Sequence, residues 1–206
     1  MNEQNCFRAG VRDGIPICLG YLSVSFAFGI FAVSSGLNIW ETLLISMTNV
    51  TSAGQLAAVP IMTGGGSLLE LAVSTFIINL RYALMSVSLS QKFGKSVRMR
   101  DRFLIAFVNT DEVFAVASAR EGTVGRLYLF GLILTPYLGW SAGTLIGAVA
   151  GNILPAIVVS ALGIAIYGMF LAIIIPPARK SRTTAGCILT AVVLSCLFRY
   201  VPALSA

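Results

Sequence analysis

Long apolar runs separated by short polar connections follow one another along almost the whole chain. They cover residues 15–33, 42–62, 68–89, 103–119, 127–150, 153–175 and 185–198. A helix that crosses the hydrocarbon core of a bilayer needs about 20 residues, and most of these runs approach that length. The pattern predicts an all-α fold, a polytopic membrane helix bundle of six or seven hydrophobic segments.

Two of these segments are interrupted by polar residues near their centres. The interruption covers residues 49–55 in the second segment and residues 109–112 in the fourth. Non-helical backbone persists at membrane depth only where it is buried in protein or lines a wet cavity. We therefore expect both segments to be broken or re-entrant.

The distribution of basic residues gives an independent count of crossings. Lysine and arginine cluster before residue 13, in the loop 92–102 and in the loop 179–182, and such clusters gather on the cytoplasmic side. Three segments separate each cluster from the next, so one segment in each group must fail to cross if all three clusters share a side. The alternative is that one loop departs from the bias.

The same count suggests how the chain is organised. Paired discontinuous segments in two halves are typical of transporters built from inverted repeats, with the site at the repeat interface. The sequence therefore predicts one integral membrane domain, residues 1–206, made of two inverted repeats with approximate halves 10–91 and 103–200.

Composition supports the membrane assignment and excludes several functions. Hydrophobic residues make up 57% of the chain and charged residues 11%, and histidine is absent. Without histidine there is no Ser-His dyad and no His-ligated metal, and the four cysteines show no C-x-x-C spacing. We expect no enzymatic activity, no cofactor and no metal. The net charge of +6 lies mainly in short loops, so a bilayer is expected as partner and nucleic acid is not.

Three charged residues lie inside apolar segments, namely Arg81, Asp111 and Glu112. Ionisable residues at membrane depth usually face the bundle interior and mark substrate or ion pathways. One hypothesis is that Arg81 or nearby backbone N–H groups bind a carboxylate, while Asp111 or Glu112 binds an ammonium group or carries a coupling proton. The alternative is a fixed structural ion pair that only neutralises Arg81.

Polar residues without charge are concentrated in the same segments. The candidate substrate-binding residues, together with Arg81, are Asn49, Gln55, Asn79 and Asn109. A separate stripe of glycines recurs every fourth residue from Gly139 to Gly151. Small residues at this spacing allow close helix contact, so the stripe predicts packing, with a partner subunit as one candidate neighbour.

Several short motifs, taken in order, resemble the AzlC family over nearly the whole chain. They are Gly14-Ile15-Pro16 with Gly20-Tyr21, Ser52-Ala53-Gly54-Gln55, Asn79-Leu80-Arg81-Tyr82 with Met85-Ser86, Thr110-Asp111-Glu112 and Gly168-Met169-Phe170. The resemblance implies the large subunit of a two-component secondary exporter in the bacterial plasma membrane. Its implied substrates are branched-chain amino acids (leucine, isoleucine, valine and analogues), and its implied partner is a small AzlD-like membrane subunit.

The chain departs from the family pattern in two places. Ala165 stands where many relatives carry aspartate, which leaves Asp111 and Glu112 as candidates for coupling. Relatives also usually continue through one more hydrophobic segment, so we expect either a shortened chain or a partner that supplies the missing surface. Two other functions stay open, a permease subunit of an ABC-type amino acid transporter and a non-catalytic membrane partner subunit. An intramembrane hydrolase with Ser52 as nucleophile would lack a base.

Overall fold

The computed structural model describes residues 6–151, 157, 175, 178–179 and 181–200. This part of the chain is helical and contains no β-strand, which confirms the all-α prediction. Its helices are α1 (Phe7–Ser34), α2 (Ile39–Thr48), α3 (Ser52–Thr63), α4 (Leu68–Ser90), α5 (Met99–Phe107), α6 (Asp111–Ala119), α7 (Arg126–Gly151) and α8 (Arg182–Tyr200). Most of the predicted segment 153–175, including Ala165, lies outside the described residues.

The chain divides into two compact units, residues 1–163 and residues 164–206. The second unit contributes α8, an apolar helix of 19 residues. The first unit contains α1 to α7 and all of the predicted site residues.

Three helices of the described part are long and apolar enough to cross a bilayer, namely α1, α4 and α7, with 28, 23 and 26 residues. At 1.5 Å per residue even α4 is about 35 Å long, which exceeds the hydrocarbon thickness of about 30 Å. The predicted six or seven segments are therefore not confirmed as crossings. Two of the predicted segments are divided into pairs of short helices.

Local sequence explains where several helices begin. Asn38 and Glu41 form a reciprocal capping box at the start of α2, and the Ser67 hydroxyl accepts the backbone N–H of Glu70 at the start of α4. Gly36 has a φ of +101° directly after α1, a backbone conformation that favours glycine. Glu41 and Glu70 thus have structural roles at the starts of α2 and α4.

Helices α1 and α7 pack closely and run parallel. Successive glycines of α7 face successive turns of α1: Gly139 faces Cys18, Gly143 faces Leu22, Gly147 faces Phe26 and Gly151 faces Ile30. A Cβ atom at Gly147 would overlap the Phe26 backbone, so only glycine permits this approach. The predicted packing role of the stripe is confirmed, and the neighbour is α1 of the same chain.

The second predicted segment folds back on itself. Helix α2 ends at Thr48, and α3 starts at Ser52. The Gln55 Nε2 donates to the Ser46 hydroxyl at 3.4 Å, whereas nine residues of continuous helix would separate these positions by about 13 Å. We name α2, residues 49–51 and α3 together hairpin 1. Pro60 lies within α3 and does not cause the break.

The fourth predicted segment also folds back on itself, but it enters the bundle from the end at which α1 begins, whereas hairpin 1 enters from the end at which α1 stops. Helix α5 ends at Phe107 and α6 begins at Asp111, and Arg120, just after α6, pairs with Asp13 near the start of α1 at 2.8 Å. Helix α5 also starts at this end, where Asp101 pairs with Arg126 at 3.1 Å. We name α5, residues 108–110 and α6 together hairpin 2.

The two ends of this helix bundle differ in charge. Apart from Arg81, every lysine and arginine between residues 6 and 151 lies at or near the end where α1 and α7 begin, which we call the basic end. The connections 35–38 and 64–67, at the opposite end, carry none. Because hairpins 1 and 2 each return to the end from which they start, α1 and α7 run in the same direction and α4 runs against them.

Candidate functional site

The tips of the two hairpins meet near the middle of the bundle and line a small, partly open polar cavity. Its volume is about 110 Å³. Both tips, α4 and the end of α5 line the cavity, through Thr48, Asn49, Val50, Thr51, Asn79, Tyr82, Ala106, Phe107, Asn109 and Thr110. The two interruptions that the sequence predicts are therefore brought together at one site.

The two tips are built from the same residue types. Each has an asparagine in the break, Asn49 or Asn109, and a threonine as N-cap of the helix that follows, Thr51 for α3 and Thr110 for α6. Neither threonine side chain accepts a hydrogen bond from the turn that it caps. The N-terminal ends of two helices, where backbone N–H groups and the helix dipole favour an anion, therefore lie beside the cavity.

Arg81 joins the two tips on one side of the cavity. Its Nη1 lies 2.9 Å from Asp111 Oδ2, and its Nη2 donates to the Tyr82 hydroxyl at 3.1 Å. That hydroxyl in turn donates to Thr51 Oγ1 at 3.3 Å. The arginine fork thus links α6 of hairpin 2 to the tip of hairpin 1, and both charged side chains remain about half exposed.

Glu112 faces away from Arg81 and toward α1. The Tyr21 hydroxyl contacts both the Glu112 carboxylate and the Thr110 hydroxyl. A carboxylate only accepts hydrogen bonds, and a tyrosine hydroxyl has one proton to donate. Tyr21 therefore donates a hydrogen bond to Glu112 and accepts one from the Thr110 hydroxyl. The neighbouring acids Asp111 and Glu112 therefore have different partners, one an arginine and the other a tyrosine.

Tyr21 is itself held in place by aromatic packing. Its ring meets Trp140 of α7 edge to face, with centroids 5.0 Å apart and planes at 70°. The Trp140 indole N–H donates to Gln55 Oε1 at 3.0 Å, and Gln55 also binds Ser46 within hairpin 1. This packing fixes the ring of Tyr21 against α7, so its hydroxyl has a defined position.

The predicted site residues separate into two groups. Asn49, Asn79 and Asn109 line the cavity. Gln55 is fully buried, and its side-chain amide forms hydrogen bonds with Trp140 and Ser46. The three charged residues lie beside the cavity without lining it. Four further residues at the site, Tyr21, Thr51, Tyr82 and Thr110, were not predicted, although each lies within or next to one of the family motifs.

Two amide oxygens at the cavity have no hydrogen-bond partner. Asn79 Nδ2 donates to Asn49 Oδ1 at 3.4 Å and Asn109 Nδ2 donates to Ser86 at 3.0 Å, but Asn79 Oδ1 and Asn109 Oδ1 are both buried without a donor. Asn109 is only 3% exposed. Buried unpaired acceptors are costly, and these two belong to asparagines in the walls of the cavity.

An apolar cavity adjoins the polar one. It has a volume of about 250 Å³ between α4 and α5, and its apolar walls include Val87, Leu89, Phe103 and Ile105. Both cavities are lined by Ala106 and Asn109. An amphiphilic small molecule could place its polar end in one and its aliphatic end in the other.

These features define the chain as a multi-pass helical membrane protein with a polar site between two broken helices. The profile of the AzlC protein family matches residues 16–154, which contain both hairpins and most of the three long helices. The chain belongs to the AzlC family.

Named relatives agree with this assignment. An uncharacterized membrane protein of Archaeoglobus fulgidus is 32% identical over 90% of this chain and 82% of its own length. The inner membrane protein YgaZ of Escherichia coli is 30% identical over 91% of this chain and 78% of its own length. The branched-chain amino acid transport protein AzlC of Bacillus subtilis is 25% identical over 71% of this chain and 58% of its own length. No solved structure matches the chain.

Proposed function

We propose that this protein is the large subunit of a two-component secondary exporter of branched-chain amino acids, and that it works with a small AzlD-like membrane subunit. The observation that carries the proposal is the pair of broken helices whose tips line a small polar cavity, with an unpaired acceptor oxygen on each of two asparagines in its walls. Discontinuous helices that meet at membrane depth are how many secondary transporters bind substrate and coupling ion. The B. subtilis relative named for branched-chain amino acid transport supplies the substrate class.

The arrangement suits a zwitterion with an aliphatic side chain. The first turn of α3 carries no acidic residue, so its N–H groups can receive the substrate carboxylate. When the site opens and exposes them, Asn79 Oδ1 and Asn109 Oδ1 would accept from the ammonium group, and the neighbouring apolar cavity would take the branched side chain. Asn49 and Arg81 would position these groups through Asn79 and Tyr82.

Transport requires the site to open toward each face in turn. The polar and apolar cavities, of about 110 Å³ and 250 Å³, together reach only the lower end of the roughly 300–1,000 Å³ of most small-molecule sites. The halves 10–91 and 103–200 stay a prediction. Within the first unit we infer a different inverted pair, α1 with hairpin 1 and α4 with hairpin 2. In the complete bundle of six or seven segments, these repeats would move against each other to expose the cavity to one side at a time.

Counterflow in proteoliposomes tests this function. Purified protein, with and without the small subunit, is loaded with unlabelled leucine and exposed to labelled leucine, isoleucine, valine or methionine. We expect counterflow of the three branched-chain amino acids and acceleration of net efflux by a proton gradient. Transport that requires ATP would instead indicate an ABC-type permease subunit, and the absence of counterflow in both preparations would contradict the proposal.

Neutral substitutions test the roles of the two acids. Glu112→Gln should abolish proton-driven net export but retain counterflow, because a residue that carries the proton is not needed for exchange. Asp111→Asn removes the partner of Arg81 and should lower both activities by about tenfold or more, since it leaves a charge unpaired. Both variants should insert normally. Unchanged proton-driven export in both variants would remove the acids from the mechanism.

A further inference from the structure

At each hairpin tip, the threonine that caps the returning helix contacts a tyrosine of a membrane-spanning helix. Tyr21 of α1 contacts Thr110, the N-cap residue of α6 in hairpin 2. Tyr82 of α4 contacts Thr51, the N-cap residue of α3 in hairpin 1. Each hairpin therefore has the same contact at its break: a tyrosine hydroxyl forms a hydrogen bond with the N-cap threonine of the second helix of the hairpin.

The two tyrosines also occupy equivalent places in their helices. Tyr21 lies 14 residues after Phe7, the first residue of α1, and Tyr82 lies 14 residues after Leu68, the first residue of α4. Helices α1 and α4 run in opposite directions. In an inverted repeat, the long helix of each repeat can contact the hairpin tip of the other repeat. This produces two matched contacts on antiparallel helices, as seen here for α1 with hairpin 2 and α4 with hairpin 1.

The two tyrosine hydroxyls differ in the charged residue that each one contacts. The Tyr82 hydroxyl receives a hydrogen bond from Arg81, whereas the Tyr21 hydroxyl faces the carboxylate of Glu112. Only Tyr82 lines the polar cavity, and Tyr21 lies behind it against Trp140. The two contacts can therefore be altered separately, and Tyr21 can be altered without removing a wall of the cavity.

We propose that Tyr21 and Tyr82 are positioning residues that act as matched latches, each keeping the cavity closed toward the end from which its hairpin enters. Loss of the contact between Tyr21 and Thr110 would free the tip of hairpin 2 and admit water from the basic end. Loss of the contact between Tyr82 and Thr51 would free the tip of hairpin 1 and admit water from the opposite end. This inference rests on the proposed transport function but makes its own prediction about access.

Sided labelling of one cysteine tests the latches. Val50, a buried residue that lines the cavity, is replaced by cysteine in a chain without its four native cysteines, and an impermeant maleimide is applied to either face of sealed vesicles. Tyr21→Phe should raise the labelling rate from the basic end, and Tyr82→Phe should raise it from the opposite end. About fivefold is expected, since one hydrogen bond is worth about 1 kcal/mol.

The threonines provide a matched control in the form of double-variant cycles. Thr110→Val should have the same effect as Tyr21→Phe, and the two together should have no larger effect than either alone, whereas Thr51→Val with Tyr21→Phe should act independently. If a tyrosine variant fails to insert into the membrane, the corresponding threonine variant removes the same contact and tests the same prediction. Leucine counterflow is measured in parallel, where Tyr21→Phe should lower the maximal rate and change the half-saturation concentration less than twofold.

The outcomes separate the two proposals. Tyrosine variants that raise labelling from the same face, or from neither, overturn the latches whatever the protein transports. Additive effects of Tyr21→Phe and Thr110→Val would overturn them as well. Opposite sidedness without any leucine counterflow would support the latches and contradict the substrate class.

Discussion

At the residue scale, the two adjacent acids at the start of α6 show how neighbouring positions acquire different chemistry. Successive residues in the first turn of a helix point about 100° apart, so Asp111 reaches α4 and Glu112 reaches α1. Only Asp111 has the arginine partner that a fixed ion pair requires. Under the proposed mechanism, the fixed ion pair would therefore belong to Asp111 and the coupling proton to Glu112.

Arg81 is expected to depend on its fork as well as on its charge. The guanidinium contacts Asp111 through one nitrogen and Tyr82 through another, and the single ammonium of lysine cannot reproduce that geometry. Arg81→Lys should lower leucine counterflow by about tenfold, equivalent to one lost charge-assisted hydrogen bond. The variant should insert at the normal level, as measured by membrane-fraction immunoblot. Reduced insertion with normal activity per molecule would mean that Arg81 serves stability alone.

At the element scale, sequence pattern predicted the long helices well and the broken ones in part. The apolar runs 68–89 and 127–150 match α4 and α7 within a residue at each end, because these helices present apolar side chains all round. Helix α1 begins eight residues earlier than its apolar run, since Gly10 and Gly14 let its polar first turns pack on α7. Apolar content alone does not report such packing.

The site was harder to predict than the helices. Polar residues at membrane depth marked both breaks, and the three asparagines predicted from this signal line the cavity; their role in substrate binding stays a prediction. It could not separate Gln55, which faces Trp140 instead of the cavity, because the direction of a side chain depends on the fold of the hairpin. Tyrosines resemble ordinary apolar residues in such a chain, so Tyr21 and Tyr82 carried no distinguishing pattern.

The glycine contact between α1 and α7 gives a stability prediction. A Cβ at Gly143 would lie 2.5 Å from the Leu22 carbonyl oxygen, whereas nothing lies within 4 Å of the corresponding position at Gly20. Gly143→Ala should lower stability by about 1–3 kcal/mol, the usual cost of overpacking, and Gly20→Ala should not lower it. Thermal unfolding of the two variants in the same detergent compares them directly. Equal melting temperatures would show that the helices separate readily at this contact.

At the scale of the whole molecule, charge and connectivity agree on one orientation. The basic end carries all lysines and arginines of residues 6–151 except Arg81, and such residues accumulate on the cytoplasmic side. Both loops that flank hairpin 2 lie at this end, and both loops that flank hairpin 1 lie at the other. Hairpins that enter from opposite faces place their tips, and hence the cavity, at mid-depth.

This arrangement predicts which loops share a face of the membrane. Single cysteines at Gln91 and Glu121, on either side of hairpin 2, should both react with an impermeant maleimide from the cytoplasmic face. Cysteines at Asn38 and Thr63, on either side of hairpin 1, should both react from the outer face. All four residues are exposed at helix ends or in loops. If either hairpin crossed the bilayer, its two flanking cysteines would react from opposite faces, and the cavity could not lie between two re-entrant tips.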